Sequence, residues 1–543
     1  MSNLFEQLLT SRGLEGEKLK AFLNLDYNAS YDPFLLTDMS KAVEHLVAAH
    51  SNQQQILIYG DYDVDGITST ALLYDALHQF GFQHVNYLLP HRIKDGYGIS
   101  NGAIAKIKKL KPDLLVTVDC GSADSTQIKS LITAGIDVIV TDHHQMKAVT
   151  PPATAVINPH RPNDKYPFKG LAGVGVAFKL VQALQTKLDG LLPGQEKWLL
   201  DLVAIGTVCD GMELVDENRL NTFFGLKVLN KTRRPGLKAL VDVSGNSQQL
   251  TSTDLGFRLG PRLNAAGRLA KADQALELLI EDDFQKATEL AIDLNQLNEQ
   301  RKSVQNEIFK DIVAQKPDLS VPVLVVVGDN WHEGIIGILA SKLMEKYQKP
   351  TFVFTNVGDG LLKGSARSFG DFSLAEAIKQ LQQLVIKGGG HNEAAGLTLQ
   401  SDKLDEFRHN IDDYYDSLKL KDQTKFLQGI EDLEVQDYSL LDYELFQDIS
   451  RLEPFGNGNP EPIFKLPNAK VLEETWLGTD ANHLRLTVAD KYGNAIKLMS
   501  FYASDKHKNQ LVDKNVDIWV TLSLNEWNGQ QTIEGRIDKL FVS

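Results

Sequence analysis

The chain has 543 residues, 43% of them hydrophobic and 23% charged, with a formal net charge of −15. That length exceeds what one hydrophobic core serves, so three or four domains of roughly 100–200 residues are expected, and the composition excludes a disordered or fibrous chain. The acidic balance argues against broad non-specific nucleic-acid binding, which releases counterions through a basic surface, but leaves room for a local basic channel. Residues 1–50 read as an N-terminal helical segment. From 51 to 230, short β-rich runs alternate with helical ones. Strands are expected at "QILIY", "FQHVNYLL", "DLLVTVD", "IDVIVTD" and "TAVINP", and helices at "GITSTALLYDALHQFG", "NGAIAKIKKLK" and "ADSTQIKSLITAG". This alternation predicts a parallel sheet with helices on both faces. A mainly helical connector follows at 231–317, ending in a long helix from Asp283 to Gln315. A second, smaller α/β domain is expected at 318–415, a linker at 416–459, and a small β-barrel at 460–543.

No apolar run reaches the ~18 residues that span a bilayer, and "MSNLFEQLLTSRGLEGEKLK" lacks signal-peptide zones, so no membrane segment and a cytoplasmic location are expected. Cys120 and Cys209 make neither a disulfide framework nor a zinc pair.

In parallel sheets ligands gather at the carboxyl ends of the strands. Three strands here end in Asp61/Asp63/Asp65, in Asp119, and in Asp142/His143/His144. Asp210 follows a fourth apolar run, "LVAIGTVCD". The D-x-D-x-D-G spacing is not a calcium-binding EF-hand loop, because the twelfth position is Leu72 and the preceding element is a strand. The plain alternatives are a solvated turn for the triplet and a helix cap for Asp119. Four such sites together favour a metal centre, and its excess of oxygen ligands selects two Mn²⁺ or Mg²⁺ ions suited to hydrolysis at phosphorus. No P-loop is present, and "GVGVAF" places Phe178 where a dinucleotide fingerprint needs a small residue.

The set "DYDVDG", "VTVDCG", "VTDHH" and "GTVCD" resembles the four motifs of the DHH phosphoesterase superfamily. Further runs, "GLAGVGVAFKL", "LGPRLNAAGRL", "NWHEGIIGILASKL", "KGSARS", "GGGHNEAAG" and "LEPFGNGNPEP", resemble those of its bacterial single-strand-specific 5′ to 3′ exonucleases, in the same order. The resemblance implies a DHH domain, a DHH-associated domain and an oligonucleotide-binding (OB) fold. It implies catalytic roles for Asp61, Asp63, Asp65, Asp119, Asp142, His143, His144 and Asp210. Of these, Asp63, Asp65, Asp119, His143 and Asp210 match direct metal ligands, with Asp119 bridging, while the role of Asp61 stays open. Arg92, Arg268, Ser365, Arg367 and His391 match substrate contacts. Single-stranded DNA is the implied substrate, single-stranded-DNA-binding protein and a helicase the implied partners, and a monomer the expected state.

Cys120 stands where the family usually has Asn, and both cysteines are expected near the metals, where oxidation or soft metals reach them. Trp476, Phe501, Tyr502, Trp519 and Trp527 are candidates for base stacking, with core packing the alternative for Trp519. Two other readings are a hydrolase of small phosphates (a short oligonucleotide, cyclic dinucleotide or pyrophosphate) and a silent DNA-binding scaffold.

Overall fold

The computed structural model describes residues 3–146, 149–245, 249–420, 430–478, 482–501, 510–527 and 530–542. It divides into two compact units, one of Tyr31–Met212 and Asp216–Phe426, the other of Met1–Ser30, Glu213–Val215 and Leu427–Ser543.

The first unit begins with five strands, β1 (Ile56–Tyr59), β2 (Val85–Leu88), β3 (Leu114–Val118), β4 (Asp137–Thr141) and β5 (Ala155–Ile157), all parallel in the order β2-β1-β3-β4-β5. Every residue of β1 and β3 is buried, which explains why these runs are apolar on both faces. Leu57, Tyr59, Leu115, Val138 and Val140 pack beneath helices Asn101–Leu110 and Ser125–Thr133. The other face meets helices Val64–Gln79 and Gly173–Leu184. Leu200–Cys209 packs against both of those helices and is apolar around its circumference, as its burial demands. The strand order reverses between β1 and β3, so the loops after these strands diverge and leave a crevice.

Helix Phe284–Ala314, capped by the Asp283 carboxylate at the Lys286 N–H, is the expected long connector. Beyond it lie β6 (Leu324–Asp329), β7 (Thr351–Gly358), β8 (Leu361–Arg367), β9 (Val385–Gly390) and β10 (Ala394–Gln400), in the order β6-β7-β8-β10-β9. Only β6 and β7 are parallel; the other pairs are antiparallel.

In the second unit, β12 (Phe464–Leu477), β13 (His483–Ala489), β14 (Ala495–Ser500), β15 (Asn515–Trp527) and β16 (Gln530–Val542) close into a barrel through a β12–β15 pairing. β11 (Leu433–Glu434) adds to β12, and helix Tyr443–Ser450 contributes Leu445 and Ile449 to the barrel core, so the stretch expected as a linker is built into this unit. Leu4, Phe5, Leu8 and Leu9 of helix Asn3–Ser11 join the same core, and Arg12 holds Asp432 through two hydrogen bonds of 2.6 and 3.0 Å. Helix Met39–Ser51 packs instead on β5 and helix Gly173–Leu184. The N-terminal segment is thus divided between the units, because its two halves have apolar faces that match different cores.

Trp519 is 8% exposed and donates from Nε1 to Glu431 Oε2 at 2.8 Å, which makes it a packed barrel residue. Trp476 is half-buried and bonded to Glu474, whereas Phe501 is exposed with its ring 5.5 Å from that of His483. Tyr502 and the Trp527 side chain lie outside the described residues.

Candidate metal centre

The loop after β1 is shaped by two glycines. A Cβ at Gly60 would lie 2.1 Å from Thr70 Oγ1, and one at Gly66 2.5–2.7 Å from the Asp61 main chain, so helix Val64–Gln79 starts hard against the strand end. Asp63 caps that helix, with Oδ1 accepting the N–H groups of Asp65 and Gly66 at 3.0 and 3.1 Å. The capping role considered for Asp119 is not built, because the helix after it starts at Ser125 with Asp124 at its cap position. Asp119 itself sits at φ +61°, a left-handed backbone uncommon for a residue with a Cβ, and is 2% exposed. Asp61 and Asp65 are buried as well, which rules out a solvated turn.

Asp65 accepts the N–H groups of Gly173 and Val174 at 2.6 and 2.8 Å. These are unpaired donors of a helix N-terminus, where a carboxylate is also favoured by the helix dipole. A Cβ on Gly173 would lie 2.6 Å from Asp119 Oδ1, so "GLAGVG" is the place where a helix end closes on two acids. That role was not readable from the sequence, where these glycines register as a failed nucleotide fingerprint and as part of a family run with no role assigned to them.

His143 Nε2 faces Asp119 Oδ1 at 3.1 Å, Asp210 Oδ2 at 3.6 Å and Asp65 Oδ2 at 3.7 Å. A hydrogen bond between its ring and the Leu171 backbone leaves Nε2 as the atom turned to the acids. Three sets of potential ligand atoms fall within 4.8 Å of one another: Asp65/His143/Asp210, Asp61/Asp63/Asp119, and Asp119/His143/His144. Asp61 Oδ1, Asp119 Oδ1 and His143 Nε2 are buried without a hydrogen-bond partner. Orphaned acceptors of this kind, aimed at one another, fit divalent cations between them.

Burial and mutual repulsion act on these acids together. Burial, then the charge of Asp63, pushes Asp65 up to about 7; burial, then Asp65, pushes Asp210 up to about 9. Burial and neighbouring carboxylates raise Asp61 and Asp119 well above the usual range. Burial, then His144, drives His143 down to about 3, so its ring is a neutral donor of electron pairs.

Asp142 is built differently. It accepts from Ser122 N at 2.9 Å, His143 N at 2.7 Å, His144 N at 3.1 Å and lies 2.8 Å from His144 Nδ1. Burial would raise it, but the bond to His144, the charges of both histidines and the Ser122 N–H together outweigh burial and hold it at about 2; burial would lower His144, but the same bond and the charges of Asp142, Asp210 and Asp65 together lift it to about 9. Asp142 orients the histidine pair from behind. Burial, then the nearby acids, pushes both the Cys120 and Cys209 thiols up.

A second cluster carries the opposite charge. Arg92 lies over the Tyr62 ring at 4.8 Å. Arg268 donates to the Gly334 carbonyl at 3.0 Å, and Arg367 to that of Ala366 at 2.8 Å. Burial, then repulsion from Arg92, Arg301 and Arg367, lowers Arg268 to about 9. Among the described residues none of these four has an ion-paired carboxylate. Arg301 lies in the polar face of the connector helix, where nothing local distinguishes it. Ser365 approaches Gly337, whose Cβ would lie 3.1 Å from Ser365 Oγ and 3.7 Å from an Arg367 nitrogen. His391 is exposed beside the β9–β10 turn, its N–H bonded to Ala394 O, and no described contact ties its ring to the arginines.

A doubly wound sheet whose switch point gathers D-x-D, D and D-H-H side chains into sets that could hold metal ions defines a DHH-type phosphoesterase, and the DHH family N-terminal domain matches residues 55–207. The DHHA1 domain matches residues 320–417 and the RecJ OB domain residues 432–539. The chain is 34% identical over 551 residues to the single-stranded-DNA-specific exonuclease RecJ of Bacillus subtilis, covering 99% of this chain and 68% of that protein. It is 34% identical over 568 residues to RecJ of Haemophilus influenzae, covering 98% and 95%. The crystal structure of Thermus thermophilus RecJ with Mn²⁺ superposes with a TM-score of 0.81 at 28% identity, over 99% of this chain and 75% of that one. The chain belongs to the RecJ family of single-stranded-DNA-specific exonucleases. Among the described residues no helix is long and apolar enough to cross a membrane.

Proposed function

We propose that this chain is a metal-dependent exonuclease that hydrolyses single-stranded DNA from the 5′ end and releases 5′ mononucleotides. The observation that carries this reading is the buried Asp119, whose unpartnered Oδ1 lies 3.1 Å from His143 Nε2 of the Asp65/His143/Asp210 set while its carboxylate belongs to the Asp61/Asp63/Asp119 set. Asp65, His143 and Asp210 would hold one divalent ion, Asp61 and Asp63 would join Asp119 at a second, and Asp119 would serve both. Bound there, Mn²⁺ or Mg²⁺ supplies an activated water and charge neutralisation for displacement at phosphorus. The chain's own work is to hold six ligand side chains against their repulsion, with the Gly173–Val174 N–H groups gripping Asp65 and Asp142 fixing His143 and His144.

Arg92, Arg268 and Arg367 offer planar donor forks to backbone phosphates, and Ser365 adds a hydroxyl. These three arginines and Arg301 form no short ion pair with a carboxylate among the described residues, and a polyanionic strand supplies a phosphate charge at each nucleotide to relieve their repulsion. His391, exposed at its turn, would meet the strand farther out. The barrel offers Phe501 and Trp476 for base stacking. Family resemblance supports single-stranded-DNA-binding protein and a helicase as partners, and a monomeric, cytoplasmic state.

The test uses single strands labelled at one end or the other, with Mn²⁺, beside pyrophosphate and a dinucleotide. Mononucleotides should leave from the 5′ end alone, and Asp119→Ala should abolish release. Preferred cleavage of the dinucleotide would instead favour a small-phosphate hydrolase, and turnover of nothing a silent scaffold.

A further inference from the structure

The loop between β2 and helix Asn101–Leu110 presents a side chain that none of the roles above uses. Gly96 and Gly98 flank Tyr97 with φ of +75° and +78°, a backbone that only glycine adopts freely. A Cβ on Gly98 would lie 2.8 Å from the Asp124 carboxylate, which also accepts the Ile99 N–H at 2.9 Å, and Tyr59 donates to the Gly98 carbonyl at 2.9 Å. The loop is thereby pinned to the sheet next to Tyr97, while the tyrosine remains 47% exposed. Its ring centroid is 5.1 Å from that of His144, and its Oη is 2.9 Å from His144 Nδ1.

What else touches Nδ1 fixes the direction of that bond. Asp142 Oδ1 lies 2.8 Å from the same nitrogen, and the Asp142 carboxylate already accepts three backbone N–H groups. A carboxylate so engaged only accepts, so Nδ1 carries the hydrogen and shares it between Asp142 Oδ1 and Tyr97 Oη. Tyr97 is the acceptor in this contact, and its own hydroxyl hydrogen is left to point elsewhere. Among the described residues no protein acceptor meets it. His144 Nδ1 is in turn 3.9 Å from Asp119 Oδ1, the buried oxygen that lacks a hydrogen-bond partner.

We propose that Tyr97 is a catalytic residue whose hydroxyl donates a hydrogen bond to a non-bridging oxygen of the scissile phosphate. The bond strengthens as negative charge accumulates on that oxygen in the transition state, and no proton is transferred. The inference rests on the reading of this chain as a phosphodiester hydrolase.

Tyr97→Phe tests it, because the substitution keeps the ring against His144 and removes only the hydroxyl. Wild type and variant are compared on a natural single strand and on strands with each phosphorothioate diastereomer at the cleaved linkage, where sulfur is a poor acceptor. On the natural strand kcat should fall about 10–100-fold with KM within about twofold. On the diastereomer that places sulfur against Tyr97, the fall should shrink to about threefold or less, since the bond is already lost. The Mn²⁺-induced rise in Tm should be the same in both proteins. An unchanged kcat, or an equal fall on all three strands, would overturn the proposal, the latter assigning Tyr97 a purely supporting role for His144. A wild-type protein that cleaves no phosphodiester would overturn the functional reading beneath it.

Discussion

The acidic and the basic clusters are mirror cases of one physical problem. Each gathers like charges whose mutual repulsion and desolvation outweigh the attraction of the few opposite charges nearby, such as Asp63 for Arg268 and Arg92 for Asp61, and an ion of opposite sign relieves that cost. They differ in how they are assembled. Most of the acids stand at the ends of three adjacent parallel strands, so chain order alone brings them together. The arginines come from the loop after β2, from helix Gly260–Leu269, from the connector helix and from β8, elements that meet only through tertiary packing. A site made at a sheet switch point is written locally, whereas a site made between layers is not.

Removing one acid should therefore do more than removing one arginine. Asp119→Ala deletes the carboxylate that belongs to the Asp61/Asp63/Asp119 set and faces His143 of the other, and we expect activity to fall on the order of 10³-fold or more, with Mn²⁺ no longer raising Tm. Retained nuclease activity in that variant would sink the shared-carboxylate geometry. Arg268→Ala should leave the Mn²⁺ response intact and lower kcat/KM about 10–100-fold, with the salt dependence of DNA binding reduced by about one phosphate contact. If its salt slope matched that of the wild type, the arginine cluster would not be a phosphate site.

This asymmetry also describes what the sequence made legible. The strands carrying Asp61, Asp119 and His143 and the connector helix lie where periodicity placed them, since a fully buried parallel strand and a capped amphipathic helix each leave a local mark. Asp210 was legible as an acid after an apolar run, a helix of which it is the C-terminal cap residue. Arg301, Tyr97 and Gly173 were not singled out. Arg301 shares the pattern of a solvated helix face, Tyr97 gains its meaning from His144 some forty-seven positions away, and Gly173 matters for the carboxylate its missing Cβ makes room for. The packing of helix Asn3–Ser11 into the barrel was hidden for the same reason, because it joins the two ends of the chain.

Proton linkage gives a third, smaller effect that separates the clusters again. Asp65 at about 7 and Asp210 at about 9 bind protons more tightly folded than unfolded, so the folded protein without metal holds more protons above the ordinary carboxylate range. Stability must then fall as pH rises through those values. His144, raised to about 9, acts in the same direction, while His143, lowered to about 3, acts oppositely but only below its ordinary value of 6.5. In EDTA, thermal melts should show Tm dropping by several degrees between about pH 6.5 and 9, at roughly 2–4 °C per kcal/mol, and Mn²⁺ should restore more of it at higher pH. A Tm that stays level or climbs across that window would contradict the buried, proton-holding cluster.

The mildest perturbation probes the seam on which the acids depend. Gly173 has no left-handed backbone to protect, and alanine is the better helix former, so Gly173→Ala should not weaken the helix itself. Its Cβ, however, would sit 2.6 Å from Asp119 Oδ1 and 2.7 Å from Asp119 Cβ, closer than packed atoms tolerate. Either the acid or the helix end must yield, and both Asp119 and the Asp65 held by the Gly173 and Val174 N–H groups lose their alignment. Mn²⁺ affinity, followed by calorimetric titration, should drop about tenfold, the range seen when groups that orient metal ligands are disturbed. DNA binding in EDTA should be unchanged, because the arginines do not touch this helix start. Equal losses in both measurements would mean that the two clusters form one mechanical unit, and the contrast between a strand-end site and an interlayer site would have to be abandoned.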